Sequence, residues 1–421
     1  MASPRASWAW VPTLYFAEGL PCVLVVTVSA IMFKQLGISN ADVALYTSWL
    51  YLPWVIKPFW SPFVDLVRTK RWWLLLTQII LGAGLAGVAL TLNTTNFFRW
   101  SLAIMWLLAF SSATHDISID GFYMLGLDEG EQSLFVGIRN TAYRIAMIAG
   151  QGGLLILVGQ FEKLFGSTAR AWSLGFLVAG GLMILLWLYH SYILPHPVAD
   201  CTIGVSGSNI LKEFGMTFVS YFQKPHIIPA LLFILLFRFP EAQLGKIAPL
   251  FLVDDAAAGG LALTTGQVGF AQGTLGVIGL LLGGILGGIT LSRFGLKKCI
   301  WFMVAAISVP DLVYVYLSWF PTQNMALVSS CIFIEQMGYG FGFTAYTLFL
   351  MYFARGEHQT SHYAISTGIM ALGMMLPGMI SGMLQERMGY RTFFIWVIAC
   401  CTVTCVVSAI IKYEPDFGKK Q

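Results

Sequence analysis

The chain is predicted to be an all-α membrane protein, with twelve transmembrane helices arranged as two bundles of six. Three observations predict this class. Of the 421 residues, 57% are hydrophobic and only 10% charged, whereas a soluble globular chain carries about 25% charged residues. Most of the surface must therefore face lipid. Twelve mostly apolar segments also approach the length of about 20 residues that a helix needs to span a bilayer. They lie near 11–33, 42–66, 72–93, 99–126, 133–160, 171–194, 226–252, 264–292, 298–320, 324–353, 361–385 and 391–412. Finally, the longest polar stretch, PHPVADCTIGVSGSNILKEFGMTFVSYFQKPH, separates six segments from six. The expected organisation is a bundle over 1–194, a cytoplasmic linker over 195–225 and a bundle over 226–421.

Charge placement sets the expected orientation. Thirteen Lys and Arg lie at segment ends on one side and six on the other, with Arg68, Lys70, Arg71, Lys297 and Lys298 among the thirteen. Positive charge concentrates on the cytoplasmic side of membrane proteins, so both termini are expected inside. The net charge of +4 is mild, and no basic run or aromatic–basic stripe points to nucleic acid. The N-terminal stretch carries Glu18 in its apolar part and no small-residue cleavage site, so it does not read as a signal peptide. The seven Cys are scattered without a CxxC and read as small packing residues, Cys201 and Cys299 near segment ends and the others within segments. No cofactor or metal site is expected, since His115 has no second His at ligand spacing.

Within the segments, polar residues stand out against the apolar background. Segment two carries Lys57 in WLYLPWVIKPFW. A charge at bilayer depth costs about 2.5–3.5 kcal/mol on insertion scales, so such groups are kept where they face a polar cavity. Lys57 either lines that cavity or snorkels to the headgroups, although about 12 Å of helix separates it from Asp65 at the segment end. Pro53, Pro58 and Pro62 each remove a backbone donor, which suits a cavity wall. Trp49, Pro53 and Lys57 recur every four residues and share a face. Trp49, Trp54 and Trp60 read either as stacking platforms for a ligand or as interfacial anchors.

Segment four sets Asp116 and Asp120 one turn apart on one face. So close a pair is a candidate proton carrier, or else one acid is permanently paired with Lys57 or an Arg. Segment five adds Arg139 near the cytoplasmic end and the deeper Arg144. A guanidinium there suits a substrate carboxylate or phosphate, or an internal salt bridge to Asp116 or Asp120. In the second half Arg238 and Glu241 stand three residues apart and either neutralise each other or serve the site, with Lys246 following. Asp311 and Glu335 are further buried acids. Gly276, Gly279, Gly283, Gly284, Gly287 and Gly288 read as a helix-packing face. The Met-rich run GIMALGMMLPGM reads as adaptable packing or a gate.

The halves echo each other. Glu18 and Glu241 each fall in the first segment of their half, and Gly159 and Gly166 match Gly382 and Gly389 at the same offset. A basic turn follows the second segment of each half, SPFVDLVRTKR and GITLSRFGLKK. The second resembles the GxxxDRxGxKK-like turn of the major facilitator superfamily with Ser292 at the acid position, and the first keeps the acid as Asp65. This resemblance implies two six-helix bundles and alternating access, and it makes Asp65 and Arg293 candidate gating residues. More narrowly, FAEGLP over 16–21, KPFWSPFVD over 57–65, SATHDISID over 112–120 and Tyr143-Arg144 resemble the AmpG group of muropeptide permeases. Similar strings occur in acetyl-coenzyme A transporters. The group resemblance covers segments one to five.

It implies proton-driven import of N-acetylglucosamine–anhydro-N-acetylmuramyl peptides across a bacterial inner membrane for cell-wall recycling. The expected proton-coupling residues are Asp116, Asp120, Glu18 and Glu241. The expected substrate-binding residues are Lys57, Arg144, Arg139, Tyr143, Trp49, Trp60, Arg238 and Glu335. Partners would be a small-molecule substrate, protons and the bilayer, with the protein a monomer. Rival readings keep the fold and change the cargo to a coenzyme A thioester, a siderophore or a drug, or take the chain as a sensor. A membrane-embedded enzyme would need a nucleophile or catalytic loop that the sequence does not offer.

Overall fold

In the computed structural model, residues 4–127, 129–198, 200, 207–355 and 359–413 are described, and their regular secondary structure is helical throughout. The spans are α1 (Ser7–Gln35), α3 (Lys70–Thr91), α4 (Phe97–Gly126), α5 (Ile138–Phe165), α6 (Thr168–Ile193), α7 (Ile227–Val253), α8 (Thr265–Phe294) and α9 (Leu296–Trp319). Helix α2 comes in two pieces, Asn40–Trp49 and Leu52–Val67. Helix α10 is Met325–Ala354. Helices α11 and α12 are the two parts of Gln359–Ile410, divided at Gly389. Among the described residues, twelve helical segments therefore lie where the apolar segments are expected, and all but α2 and α10 are long and apolar enough to cross a membrane, α11 and α12 as one continuous helix. Gly389 has φ 74°, a left-handed backbone that glycine adopts without strain. A helix over Gly207–Phe222 forms in the stretch between α6 and α7.

Local sequence explains where the helices start and break. Ser39, Thr69 and Ser167 cap α2, α3 and α6, each side chain accepting from a backbone N–H in the first turn. Thr264 and Gln267 form a capping box at α8. Proline sets the interruptions. Helix α2 restarts at Leu52, just before Pro53, α7 restarts at Phe239, just before Pro240, and α9 narrows to a 3₁₀ turn over Val309–Asp311 around Pro310. A proline donates no N–H and fits the first turn of a helix, so each break falls where a helix can begin again. Pro58 and Pro62, in contrast, remain inside the second piece of α2. Three spans also carry π-helical stretches, Leu24–Val28 in α1, Ile148–Leu154 in α5 and Gly269–Gly276 in α8.

The chain divides into two compact units. Unit 1 holds residues 1–32 and 56–213, and unit 2 holds residues 33–55 and 214–421. Trp10, Leu14, Tyr15, Ile119, Phe122 and Phe135 form a core in unit 1, with the Trp10 and Phe122 rings edge to face at 5.3 Å. Glycines let its helices approach. A Cβ on Gly180 would stand 2.9 Å from the carbonyl oxygen of Gly82, and one on Gly150 would stand 2.4 Å from Val23 Cγ1.

Unit 2 has a core of Phe233, Phe237, Tyr346 and Phe349, in which Phe237 stacks on Tyr346 at 5.2 Å. The glycine face of α8 meets α10. A Cβ on Gly279 would lie 2.6 Å from Phe333 O and one on Gly283 only 1.9 Å from Met337 O, whereas Gly288 has open space. The first piece of α2 belongs to this unit and is held by polar contacts. Asn40 Nδ2 donates to Gln385 Oε1 at 2.7 Å and to Tyr390 Oη at 2.9 Å. Tyr390 Oη donates to Asp254 Oδ2 at 2.9 Å, and Lys34 Nζ pairs with the same oxygen at 2.9 Å.

The glycine face gives a paired test. Gly283→Ala should destabilise unit 2 by about 1–3 kcal/mol, the usual cost of overpacking a close helix crossing. Gly288→Ala should be neutral or stabilising by up to about 1 kcal/mol, because only helix propensity changes. Thermal unfolding of the two purified variants checks the difference, and equal midpoints would contradict the close crossing.

Candidate functional site

In unit 1 the ionisable side chains of α1, α2, α4 and α5 converge. Lys57 lies in the second piece of α2, and its Nζ donates to Asp116 Oδ2 of α4 at 3.2 Å. One turn further along α4, Asp120 Oδ1 accepts from Tyr15 Oη at 3.1 Å and from Arg139 Nη1 at 3.3 Å. Arg139 Nη1 also donates to Tyr15 Oη at 3.0 Å, closing a triangle. The Arg139 guanidinium sits 5.2 Å from the centres of both the Tyr15 and Tyr123 rings, where cation–π attraction adds to the ion pair. Glu18 of α1 is buried beside Asp116 and Lys57, and its Oε2 has no hydrogen-bond partner among the described residues.

The spacing of Asp116 and Asp120 thus serves two separate pairs. Both acids face the same way on α4, but Lys57 takes the first and Arg139 the second. The Asp116 side chain is 15% exposed and the Asp120 side chain 46%, so the pairs differ in access to water. Helical geometry supplies this arrangement, because residues four apart stand above one another along one face.

The other expected site residues are spread more widely. Arg144 makes no ion pair among the described residues, and its Nη1 donates to the Met147 Sδ at 3.4 Å. Tyr143 packs on α1, its Cδ2 lying 3.2 Å from where a Cβ on Gly19 would stand. Trp60 has its ring 5.6 Å from Phe110, and its Nε1 is buried without a hydrogen-bond partner among the described residues. The Asp65 side chain and Cys201 lie outside the described residues. His115 is fully buried, and neither ring nitrogen has a hydrogen-bond partner among those residues.

Within unit 2, Trp49 is exposed on the first piece of α2, and Arg293 is exposed in the last turn of α8. Arg238 makes no ion pair with Glu241. Its guanidinium donates to Tyr339 Oη and stands 4.7 Å from the centre of the Phe343 ring. Glu241 turns instead to Asp311 and Glu335, and a carboxylate oxygen from each of the three lies within 4.8 Å of the others. Lys246 is buried, donates to Thr47 Oγ1 at 3.1 Å and lies 5.2 Å from the centre of the Tyr51 ring.

Sequence reasoning missed Tyr15 and Tyr123 as partners of the charged groups. Tyr15 stands three residues before Glu18, the spacing that puts both on one face of α1, and this was the available signal. The contacts of Asn40 with Asp254 and Tyr390 span 214 and 350 residues, and no local pattern reports such pairs.

The charge pairing generates a stability prediction. Lys57→Met leaves Asp116 without its ammonium and should cost about 3–5 kcal/mol, the usual penalty for breaking a buried pair. Adding Asp116→Leu should recover much of that loss. A double-mutant cycle on unfolding midpoints in detergent reads the coupling, and simple additivity would show that the pair is not an energetic unit.

Comparison with known proteins gives a consistent family. A family model described as Major Facilitator Superfamily matches residues 13–378. The anhydromuropeptide permease of Escherichia coli K12 is 25% identical over 413 residues, covering 96% of this chain and 80% of the permease. A Rickettsia conorii protein named as transporter AmpG 4 is 25% identical over 399 residues, covering 91% of each chain. A Haemophilus influenzae protein of uncharacterised function is 22% identical over 393 residues, with 90% and 88% covered. Among solved structures, a D-xylose–proton symporter aligns with a TM-score of 0.77 at 10% identity, covering both chains fully. The nucleoside transporter NupG aligns with a TM-score of 0.70 at 16% identity, over 98% of this chain and 100% of that one. These structural likenesses bear on the fold alone.

Proposed function

We propose, for a chain that belongs to the Major Facilitator Superfamily, that it is a proton-coupled importer of anhydromuropeptides or related cell-wall amino-sugar compounds. Such a chain is a multi-pass membrane transporter and not an enzyme. The proposed setting is the bacterial inner membrane with both termini cytoplasmic, as the Lys and Arg bias suggests.

The observation that carries the coupling is a charge imbalance within the cluster of Glu18, Lys57, Asp116, Asp120 and Arg139 in unit 1. Glu18, Asp116 and Asp120 bring three formal negative charges, and Lys57 and Arg139 bring two positive ones. One carboxyl therefore has no cation of its own. In a low dielectric such a surplus is offset by a mobile proton at low cost compared with an unpaired charge. Lys57 pairs with Asp116, and Glu18 forms no ion pair among the described residues, so a proton on Glu18 offsets the surplus charge and a proton on Asp116 frees the ammonium. Asp120, tied by Tyr15 and Arg139, holds the adjacent turn in place and is the more water-accessible entry point.

Substrate binding is assigned to Arg144 first. It is the one cation among Lys57, Arg139 and Arg144 without a carboxylate partner in the described residues, and a guanidinium grips a carboxylate bidentately. Muropeptides carry peptide carboxylates, and the sugar faces suit stacking on Trp60 or Tyr143. The name of the Escherichia coli relative supports this class of cargo.

Two measurements test the reading. Uptake of an anhydromuropeptide into proteoliposomes should accelerate under an inward proton gradient, and Asp116→Asn should abolish that response while leaving substrate counterflow. Gradient-independent uptake by the unaltered protein would refute the coupling. Arg144→Gln should weaken substrate binding at least about tenfold, equivalent to about 1.4 kcal/mol. Unchanged affinity in a direct binding measurement would remove Arg144 from the site.

A further inference from the structure

Unit 2 contains a second cluster that the coupling chemistry of unit 1 does not use. Glu241, Asp311 and Glu335 come from three different helices and are 6%, 3% and 2% exposed. Each offers a carboxylate oxygen within 4.8 Å of the other two. Among the described residues no Lys or Arg forms an ion pair with any of them. The nearest candidate, Arg238, is turned to Tyr339 and Phe343.

Two oxygens of the cluster are left without a partner among the described residues. Glu241 Oε2 and Asp311 Oδ1 are buried and make no hydrogen bond there. The other polar neighbours are few. Gln336 Nε2 donates to both oxygens of Glu335, at 3.2 and 3.0 Å, and Cys401 Sγ lies 3.9 Å from Asp311 Oδ2. Buried acids with vacant lone pairs and no ion pair among the described residues are unstable as an apolar packing solution, because each unmet acceptor costs its full desolvation.

The backbone around the cluster is also interrupted. Glu241 sits in the first turn of the second piece of α7, after the break at Phe237–Arg238. Asp311 closes the 3₁₀ turn that interrupts α9 at Pro310. Glu335 faces them from α10, whose Gly338 lets the α9 break approach, a Cβ there standing 2.3 Å from Ala306 O and 2.6 Å from Pro310 Cγ. In membrane proteins, discontinuous helices with intramembrane acids are the construction used for ion sites.

We propose that Glu241, Asp311 and Glu335 form a binding site for a hard metal cation of calcium or sodium size. The donors are oxygen only, with no imidazole and no thiolate needed, which disfavours zinc and other soft ions. Oxygens on opposite sides of a calcium ion lie about 4.6–5.2 Å apart, so a trio within the observed spacing fits around one such ion. The cation supplies positive charge to three acids that have only the Arg238 guanidinium nearby and form no ion pair with it among the described residues. This inference does not rest on the proton-coupled reading of unit 1.

The test uses the full-length protein in lipid nanodiscs. CaCl2 or NaCl, compared with choline chloride at equal ionic strength, should raise the unfolding midpoint, and the arm that responds identifies the ion. Equilibrium dialysis with radioactive calcium or sodium should show retention by the unaltered protein. Asp311→Asn and Glu335→Gln should each lose both signals, whereas Asp116→Asn in unit 1 should keep them. If those neutral variants fail to fold, Glu335→Asp retains the charge, shortens the reach and should weaken retention at least tenfold. The site is overturned if neither ion is retained, if the midpoint follows pH alone, if retention survives in Asp311→Asn and Glu335→Gln, or if Glu335→Asp binds as tightly as the unaltered protein.

Discussion

A charge inside a bilayer has no water to fall back on, so the protein must supply its partner. The contact between Lys57 Nζ and Asp116 Oδ2 at 3.2 Å is where this chain meets that demand. The second piece of α2, the polar face of α4 and the Glu18 turn of α1 are positioned around it. Arg139, Tyr15 and Asp120 repeat the solution one turn along α4. Each pair costs desolvation that Coulomb attraction and hydrogen bonding must offset. Pairs that close to break-even suit a transporter, because small changes in protonation or ligation can exchange their partners.

The apolar framework makes these pairs possible. Lipid offers helices no hydrophobic reason to associate, so their packing relies on close contact and small residues. Gly82 with Gly180 in unit 1 and Gly279 and Gly283 against α10 in unit 2 provide that contact. Aromatic stacking such as Phe237 on Tyr346 fills the remaining space. The polar groups are then held by a scaffold whose tolerances are fractions of an ångström.

Much of this was legible in the sequence. Hydropathy placed the twelve helical segments of the described residues, ten of which are apolar and long enough to span, α11 and α12 as one helix. The i,i+4 spacing of Asp116 and Asp120 announced a shared face, and Lys57 announced a partner in the interior. The pairing itself was not legible. That Arg139 meets Asp120 while Arg144 makes no ion pair among the described residues depends on the rotation of α5 about its axis, which periodicity leaves open. Arg238 and Glu241 have ideal spacing for a helical pair, yet the break before Pro240 separates their directions. The Asn40 network was beyond reach for the same reason, since its members meet only through tertiary packing.

The π-helical stretch at the start of α8 has a consequence for how this helix is built. A π turn accommodates one residue more than an α turn, so Gly269–Gly276 changes the phase of everything that follows. Before it, Thr265 Oγ1 accepts from Gln35 Nε2 at 2.8 Å and fixes the start of the helix. After it, Gly279 and Gly283 face α10. Removing the surplus residue would restore a regular helix and swing that glycine stripe by about 100°, the rotation per residue of an α-helix. The two ends of α8 could not then both keep their neighbours. The stretch therefore acts as a phase adjuster, and it lets one continuous helix satisfy two sets of contacts that a regular helix of the same sequence would place on different faces.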